Sequence, residues 1–283
     1  MMTLDKKIDL AIKIIKAAAM KAKENGGVIE VAYSGGKDSD VILELTKMAG
    51  VPYRAIYKNT TVDPPLTVKH AKEKGVEIHM PERSFFEIVA SHGLPNRHKR
   101  TCCEYLKEYK ILDYVILGIR REESKARAAR YKEPELCRKF PHGQKARHYM
   151  PILEWTAQDV ADFVKMRGIQ CHPLYYDEQG LFHPERRLGC LCCPLQYEKS
   201  RIAQFKQYPN MVKAYIRAAQ RFWDTHPDSK MRAMYDDVYE WFVSDVFYSH
   251  DDRYRKKWDE INSGLFKPDY KAFLEREFNI KFN

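Results

Sequence analysis

The chain has 283 residues, 44% of them hydrophobic and 31% charged, with a formal net charge of +10. That is enough apolar material for one large core plus a smaller module without the help of disulfides, and no apolar run is long enough to span a bilayer. Seven cysteines, an odd number in a chain of this size, fit reduced thiols or a metal site better than a secreted disulfide framework, so a cytoplasmic protein with no membrane partner is expected.

The chain opens on an amphipathic pattern. Leu10, Ile14, Ile15 and Ala18 follow helical spacing, while Asp5, Asp9 and Glu24 are wrong for a transit peptide. Residues 1–27 therefore read as an N-terminal helix. Val28 to Tyr33 is a β-rich run that ends in Ser-Gly-Gly, and Val41, Ile42, Leu45 and Met48 then recur on one helical face. The alternation repeats with Tyr53 to Tyr57 before Pro64 to Lys74, Val76 to Met80 before Phe85 to Ser91, and Tyr114 to Ile119. Repeated βα units with short connections predict an α/β fold, a Rossmann-like parallel sheet covered by helices. Thr156 is the expected N-cap of a helix over Ala157 to Met166. His172 to Pro194, rich in Pro, Gly, Cys and His, reads as a loop-built element. Past Glu198, Met211, Val212, Tyr215, Ala219 and Phe222 stand at core spacing. The expected organisation is thus the N-terminal helix, a nucleotide-binding domain over 28–197, and a helical C-terminal module over 198–283. That module holds about half of the aromatics, including Trp223, Trp241 and Trp258; its near-neutral charge favours core packing over base stacking.

Chemistry concentrates first on Ser34-Gly35-Gly36-Lys37-Asp38-Ser39. Two glycines after a strand let the backbone turn tightly and offer several N–H groups to an anion, and the following helix adds the positive end of its dipole. A phosphate suits such a loop. Lys37 adds a charge, Ser34 and Ser39 add hydroxyls, and Asp38 either binds a phosphate-bridging Mg²⁺ or caps the helix. The spacing is not that of a Walker loop. Gly118 ends a strand, so Arg120 emerges where parallel sheets place ligands, with Arg127 following on the next helical turns; bidentate guanidinium bonds there suit phosphate or sulfate. Between Pro95 and Tyr149 fifteen Lys or Arg face seven Asp or Glu, a basic stretch that suits an anionic partner.

From about Val28 to Leu195 these landmarks resemble the phosphoadenylylsulfate (PAPS) reductase family, within the ATP pyrophosphatases that share an SGG-x-DS loop and an adenine nucleotide alpha hydrolase-like fold. The ordered motifs are SGGKDS, Asn59-Thr60-Thr61-Val62-Asp63-Pro64-Pro65, Arg100-Thr101-Cys102-Cys103 through Lys107, and Gly118-Ile119-Arg120-Arg121-Glu122-Glu123-Ser124 with Arg127. The resemblance implies an adenine nucleotide held by Ser34 to Ser39, Asp63, Gly118, Arg120 and Arg127, with Lys37, Asp38 and Arg120 taking part in catalysis. It also gives the cysteines a meaning. The tandem Cys102-Cys103 and the later C-x-x-C of Cys190 and Cys193 resemble the ligands of a 4Fe-4S iron-sulfur cluster in adenylylsulfate reductases. Four thiolates suit such a cluster or zinc, although adjacent residues are awkward ligands for one small ion, and Cys137 or Cys192 are alternatives to Cys102. Cys171 reads as core.

One departure matters. Reductases of this family use a cysteine in a C-terminal Glu-Cys-Gly motif as nucleophile, whereas the last cysteine here is Cys193. Either Cys192 or Cys171 takes the role, or the chemistry differs. The different chemistry is cleavage of ATP, with Mg²⁺, to AMP and pyrophosphate, adenylylating an acceptor. Cluster-bearing relatives use this for sulfur insertion into nucleic acid, so a nucleic acid or a sulfur-donor protein is the expected partner. Sulfite-forming reduction of adenylylsulfate or phosphoadenylylsulfate is the alternative, and a non-catalytic nucleotide-sensing subunit is a third reading.

Overall fold

The computed structural model describes residues 2–96, 98–140, 143–248 and 268–282. By its contacts the chain divides into two units, one made of Met1–Asn59, Asp63–Met80 and Glu108–Gly189, the other of Thr60–Val62, Pro81–Lys107 and Cys190–Asn283.

The first unit is the α/β sheet. Helix α1 (Leu4–Glu24) buries Ile8, Ala11, Ile15, Ala18 and Ala22, one stripe along its length. Leu10, expected on that stripe, is instead 45% exposed. Strands β1 (Ile29–Tyr33), β2 (Tyr53–Lys58), β3 (Glu77–His79), β4 (Tyr114–Ile116), β5 (Glu135–Lys139) and β6 (Lys145–Tyr149) form one six-stranded sheet in the order β3-β2-β1-β4-β6-β5. All neighbours are parallel except β5 and β6. β1 is central, with Val31 opposite both Ala55 and Ile116, and it is buried along most of its length; its one charge, Glu30, is buried and paired with Lys58. Helices α2 (Lys37–Ala49), α3 (Thr67–Glu73) and α7 (Ala157–Arg167) belong to this unit. Met48, expected on the buried face of α2, is exposed. The side chain of Thr156 caps α7 in a reciprocal capping box with Asp159, as the sequence predicts.

From β1 the chain builds outward through β2 to β3, then returns to lay β4 on the other side of β1. The loops after β1 and β4 therefore diverge, and the crevice between them is where open parallel sheets hold ligands. The β5–β6 hairpin is a finding that no periodicity announced. β5, the edge strand, carries Glu135, Arg138 and Lys139, charges that protect the sheet against edge pairing.

The second unit is helical. It comprises α4 (Phe85–His92), α5 (Thr101–Leu106), α8 (Glu198–Gln207), α9 (Pro209–Thr225), α10 (Lys230–Met234), α11 (Val238–Phe242) and α12 (Tyr270–Phe278); a π-helical turn, Val243–Tyr248, continues α11. α4 belongs to this unit and packs on α9. Phe205, Tyr215, Phe222, Trp223, Trp241, Phe242 and Phe247 are buried together, so these aromatics serve as core. Trp258 lies outside the described residues. Among the described residues no helix is long and apolar enough to cross a membrane.

Candidate nucleotide site

The loop after β1 has the geometry its glycines foretell. Gly35 adopts φ +77°, and a Cβ on it would stand 2.7 Å from Thr67 Cγ2. Gly36 precedes α2 as its extended N-cap residue, and its carbonyl accepts from the Ser39 and Asp40 amides and from Ser39 Oγ. Ser34 Oγ lies 3.3 Å from Ser39 Oγ. Asp63 starts the turn that brings Thr67 to Gly35; it is held by the Tyr57 hydroxyl, while Thr67 Oγ1 bonds the Pro64 carbonyl.

Gly118, two residues after β4, approaches the start of α2 so closely that a Cβ would lie 2.8 Å from the Asp38 carbonyl oxygen. Arg120 then reaches Asp38. Its Nε donates to Asp38 Oδ1 at 2.7 Å, its Nη1 to Glu122 Oε2 at 2.9 Å and to the Trp155 carbonyl at 3.4 Å. Lys37 Nζ is 3.0 Å from the other Asp38 oxygen. Lys37 and Arg120 are both buried, each below 5% exposed. Two desolvated cations thus share one carboxylate at the loop. Arg127, on α6 (Lys125–Arg130), pairs with Glu123. Burial and the nearby charge of Arg187 hold its guanidinium below the ordinary arginine value.

Four features of this site were not read from the sequence. The segment after α7 folds onto the loop: Lys37 Nζ lies 5.3 Å from the centroid of the Tyr175 ring and 3.5 Å from the Arg186 carbonyl, and the Tyr175 hydroxyl accepts from the Leu188 amide. Arg187 Nη2 donates to the Glu123 carbonyl at 2.5 Å. Glu122 and Glu123 carry the two arginines. Below the loop, buried Asp40 accepts from the Tyr33 hydroxyl at 2.6 Å and lies 3.1 Å from His70 Nε2; the His70 and His172 rings meet edge-on at 5.7 Å. Burial, with the Asp40 charge adding, raises the Tyr33 hydroxyl well above its ordinary value. The repeated acid in Asp38-Ser-Asp40 was the available signal for that network; Arg187 had none beyond its place before Gly189-Cys190.

The cysteines sort by unit. Cys137 is exposed on edge strand β5, and Cys171 is buried with its thiol raised by desolvation. Cys102, Cys103, Cys190, Cys192 and Cys193 all belong to the helical unit. There the four cysteines singled out above, all free thiols, feel one another: Cys102 is raised by its hydrogen bond with Cys103, then by burial and by Cys193 and Cys190. Cys103 is pulled down to about 5 by that same bond, with Arg100 and Lys107 adding to it. Burial, then Cys190, pushes Cys193 up to about 11. Arg100 Nη2 lies 3.6 Å from Cys103 Sγ. Cys192, in left-handed backbone at φ 54°, is instead fully buried among apolar residues. Among the described residues no three His, Cys, Asp or Glu are grouped around the position of a single metal ion.

A glycine loop at the switch point of a mostly parallel sheet, faced by a guanidinium from the neighbouring strand, defines the class: an α/β protein with a fold of the nucleotide-binding kind. The chain belongs to the phosphoadenosine phosphosulfate reductase domain family, whose model matches residues 28–196. Two uncharacterized proteins of Methanocaldococcus jannaschii are similar to it, one 28% identical over 75% of this chain and 52% of its own length, the other 27% identical over 76% and 46%. An uncharacterized 37.8 kDa protein of Escherichia phage 186 is 31% identical over 49% of this chain and 43% of its own. The chain spans about half the length of these curated relatives. Among solved structures it is similar to the FMN adenylyltransferase of Candida glabrata in complex with FAD and inorganic pyrophosphate, at 16% identity over 61% of this chain and 59% of that one, TM-score 0.45. It is also similar to the phosphoadenylyl-sulfate reductase of Candida auris in a phosphate complex, at 14% identity over 67% and 96%, TM-score 0.41.

Proposed function

We propose that this chain binds ATP on the Ser34 to Ser39 loop and cleaves it to AMP and pyrophosphate, transferring the adenylyl group to an acceptor. The observation that carries the reading is the shared carboxylate. Lys37 and Arg120 are buried cations converging on Asp38, an arrangement that suits a leaving group with several negative charges. In the proposed reaction an acceptor oxygen attacks the α-phosphorus, the bond from that phosphorus to the α,β-bridging oxygen breaks, and pyrophosphate leaves with those electrons into the loop. Lys37, Arg120 and the loop amides hold the leaving group. Asp38, released from its cations by the arriving phosphates, is placed to bind Mg²⁺, which would neutralise charge between them. Gly118 allows β4 to approach closely enough for Arg120 to reach.

Cys102, Cys103, Cys190 and Cys193 are the proposed ligands of a 4Fe-4S cluster. The donor set is right in kind, four soft thiols of one unit; the described residues do not group three of them around one ion position, so the ligand set rests on residue type and sequence pattern. Such a cluster would supply positive potential or a sulfur relay when bound. The basic stretch from Pro95 to Tyr149 supports a nucleic-acid acceptor, or sulfur transfer to one, with a sulfur-donor protein as partner.

Anaerobically prepared protein incubated with Mg-ATP and acceptor-bearing nucleic acid should release pyrophosphate and leave the adenylyl group on the acceptor, with AMP freed once a sulfur nucleophile from a donor displaces it. The second reading, reduction of adenylylsulfate or phosphoadenylylsulfate, is favoured by the family match itself. Sulfite formed from either compound with thioredoxin, and no pyrophosphate from ATP, would establish it in place of the first. Visible cluster absorption that vanishes in a Cys190→Ala, Cys193→Ala double variant is the separate expectation for the thiol set.

A further inference from the structure

At the mouth of the crevice the charges do not balance locally. Asp38 is shared by Lys37 and Arg120, Glu122 also pairs with Arg120, and Glu123 pairs with Arg127. Arg187, from the segment leading to Cys190, joins this group through a hydrogen bond to the Glu123 backbone carbonyl, and it has no carboxylate partner among the described residues. It is exposed, and it stands close enough to Arg127 for its charge to disfavour the protonated form there. A guanidinium stays charged at any physiological pH, so bringing two together costs energy that a bound anion returns. The planar fork of each suits the oxygens of a phosphate, and two forks anchored on one residue, Glu123, suit two sides of the same group.

We propose that Arg127 and Arg187 form a binding site for a phosphate group of the second substrate, a phosphate ester, apart from the phosphates held by the glycine loop. This rests on the reading of the loop as the ATP site. Exposed Lys125 and Arg130 on the same helix as Arg127 extend the positive ledge, which favours the phosphodiester of a nucleic acid over a small phosphate ester.

The test uses the full chain and three probes: a fluorescent ATP analogue, a labelled ten-nucleotide single strand of thymidine, and CMP with inorganic phosphate as competitors. In the Arg187→Gln variant the single strand should bind about tenfold more weakly, and the slope of log affinity against log salt should fall by about one. Binding of the ATP analogue should stay within about twofold, and Arg187→Lys should lie between the two on the strand. If CMP binding falls and strand binding does not, the phosphate comes from a small ester. Loss of neither, or equal loss of the ATP analogue, overturns the site. A wild-type chain that fails to bind the ATP analogue while keeping an Arg187-dependent phosphate site would instead sink the ATP reading alone. Arg187→Lys, with melting curves for each variant, guards against a folding defect being mistaken for lost contact.

Discussion

Gly118 and Asp38 are in backbone contact: a methyl group on Gly118 would sit 2.8 Å from the Asp38 carbonyl oxygen and 2.9 Å from its carbonyl carbon. Neither atom is the end of a flexible side chain, so one strand end or the start of α2 must move if the space is filled. Gly118→Ala should therefore cost about 1–3 kcal/mol in stability, the range for overpacking a close contact. Because the same shift carries Asp38 and Arg120 apart, ATP affinity should drop at least tenfold. Chemical denaturation and nucleotide titration of the variant measure the two effects, and a variant that binds ATP normally would show that the approach of β4 is not what positions Arg120.

The shared carboxylate makes a second prediction. Asp38→Asn keeps the shape but leaves Lys37 and Arg120, both buried, without their common anion, which should destabilise the unit by about 2 kcal/mol. Pyrophosphate brings the charge back. Its addition without metal should raise the melting temperature of the variant more than that of the wild type. Equal shifts in the two proteins would mean that the anion does not enter this cluster.

His148, buried on β6, gives the sheet unit a pH dependence. Burial, with Arg138 adding to it, pushes its imidazole from an ordinary 6.5 down to about 4. The unfolded chain then binds a proton that the folded one refuses, so the stabilisation is full above about pH 6.5 and is lost as the pH falls toward 4. The loss is on the order of 2–3 kcal/mol. His148→Gln should flatten that part of the stability profile, and an unchanged acid slope would assign it to other groups.

In the helical unit Arg201 is fully buried and donates to the carbonyls of Phe247, Pro194 and Gln196. It ties the turn after Cys193 to the end of the π-helical turn. Arg201→Met fills similar volume but strands those carbonyls, at a cost of about 3 kcal/mol. The turn should loosen with it: Cys192, buried, and Cys193, partly buried, should react faster with a thiol reagent than in the wild type. Stability loss with unchanged thiol reactivity would confine the role of Arg201 to the core.

Much of this protein was legible from residue order, because the strongest signals are local. A βα unit announces itself by a period of two giving way to a period of 3.6 around a glycine turn, and Val28 to Met48 does so within one short window. Thr156 and Asp159 form their capping box for the same reason: both partners lie within one helical turn. The β5–β6 hairpin is not legible in the sequence because Glu135, Arg138, Lys139, Lys145 and Arg147 leave its strands without a clear apolar alternation. Leu10 was misplaced on α1 because the helix buries the alanine-rich stripe through Ala11 and Ala18, and alanine carries little hydropathy to reveal it.

Residue order was sufficient for the glycine turn, the alternation of strands and helices that implies a parallel sheet, and the family, since each is written in short windows or in ordered motifs. Folding alone decided which charges meet. Arg120 lies 82 positions from Asp38 and bonds it; Arg187 lies 64 from Glu123 and does the same through its carbonyl. α4, which follows a strand in sequence, packs on α9 in the helical unit. Such pairings come from the crossover of the chain at β1 and from burial summed over a whole core. No window along the chain contains them, because partners from distant segments are selected by the shape and desolvation of the assembled unit.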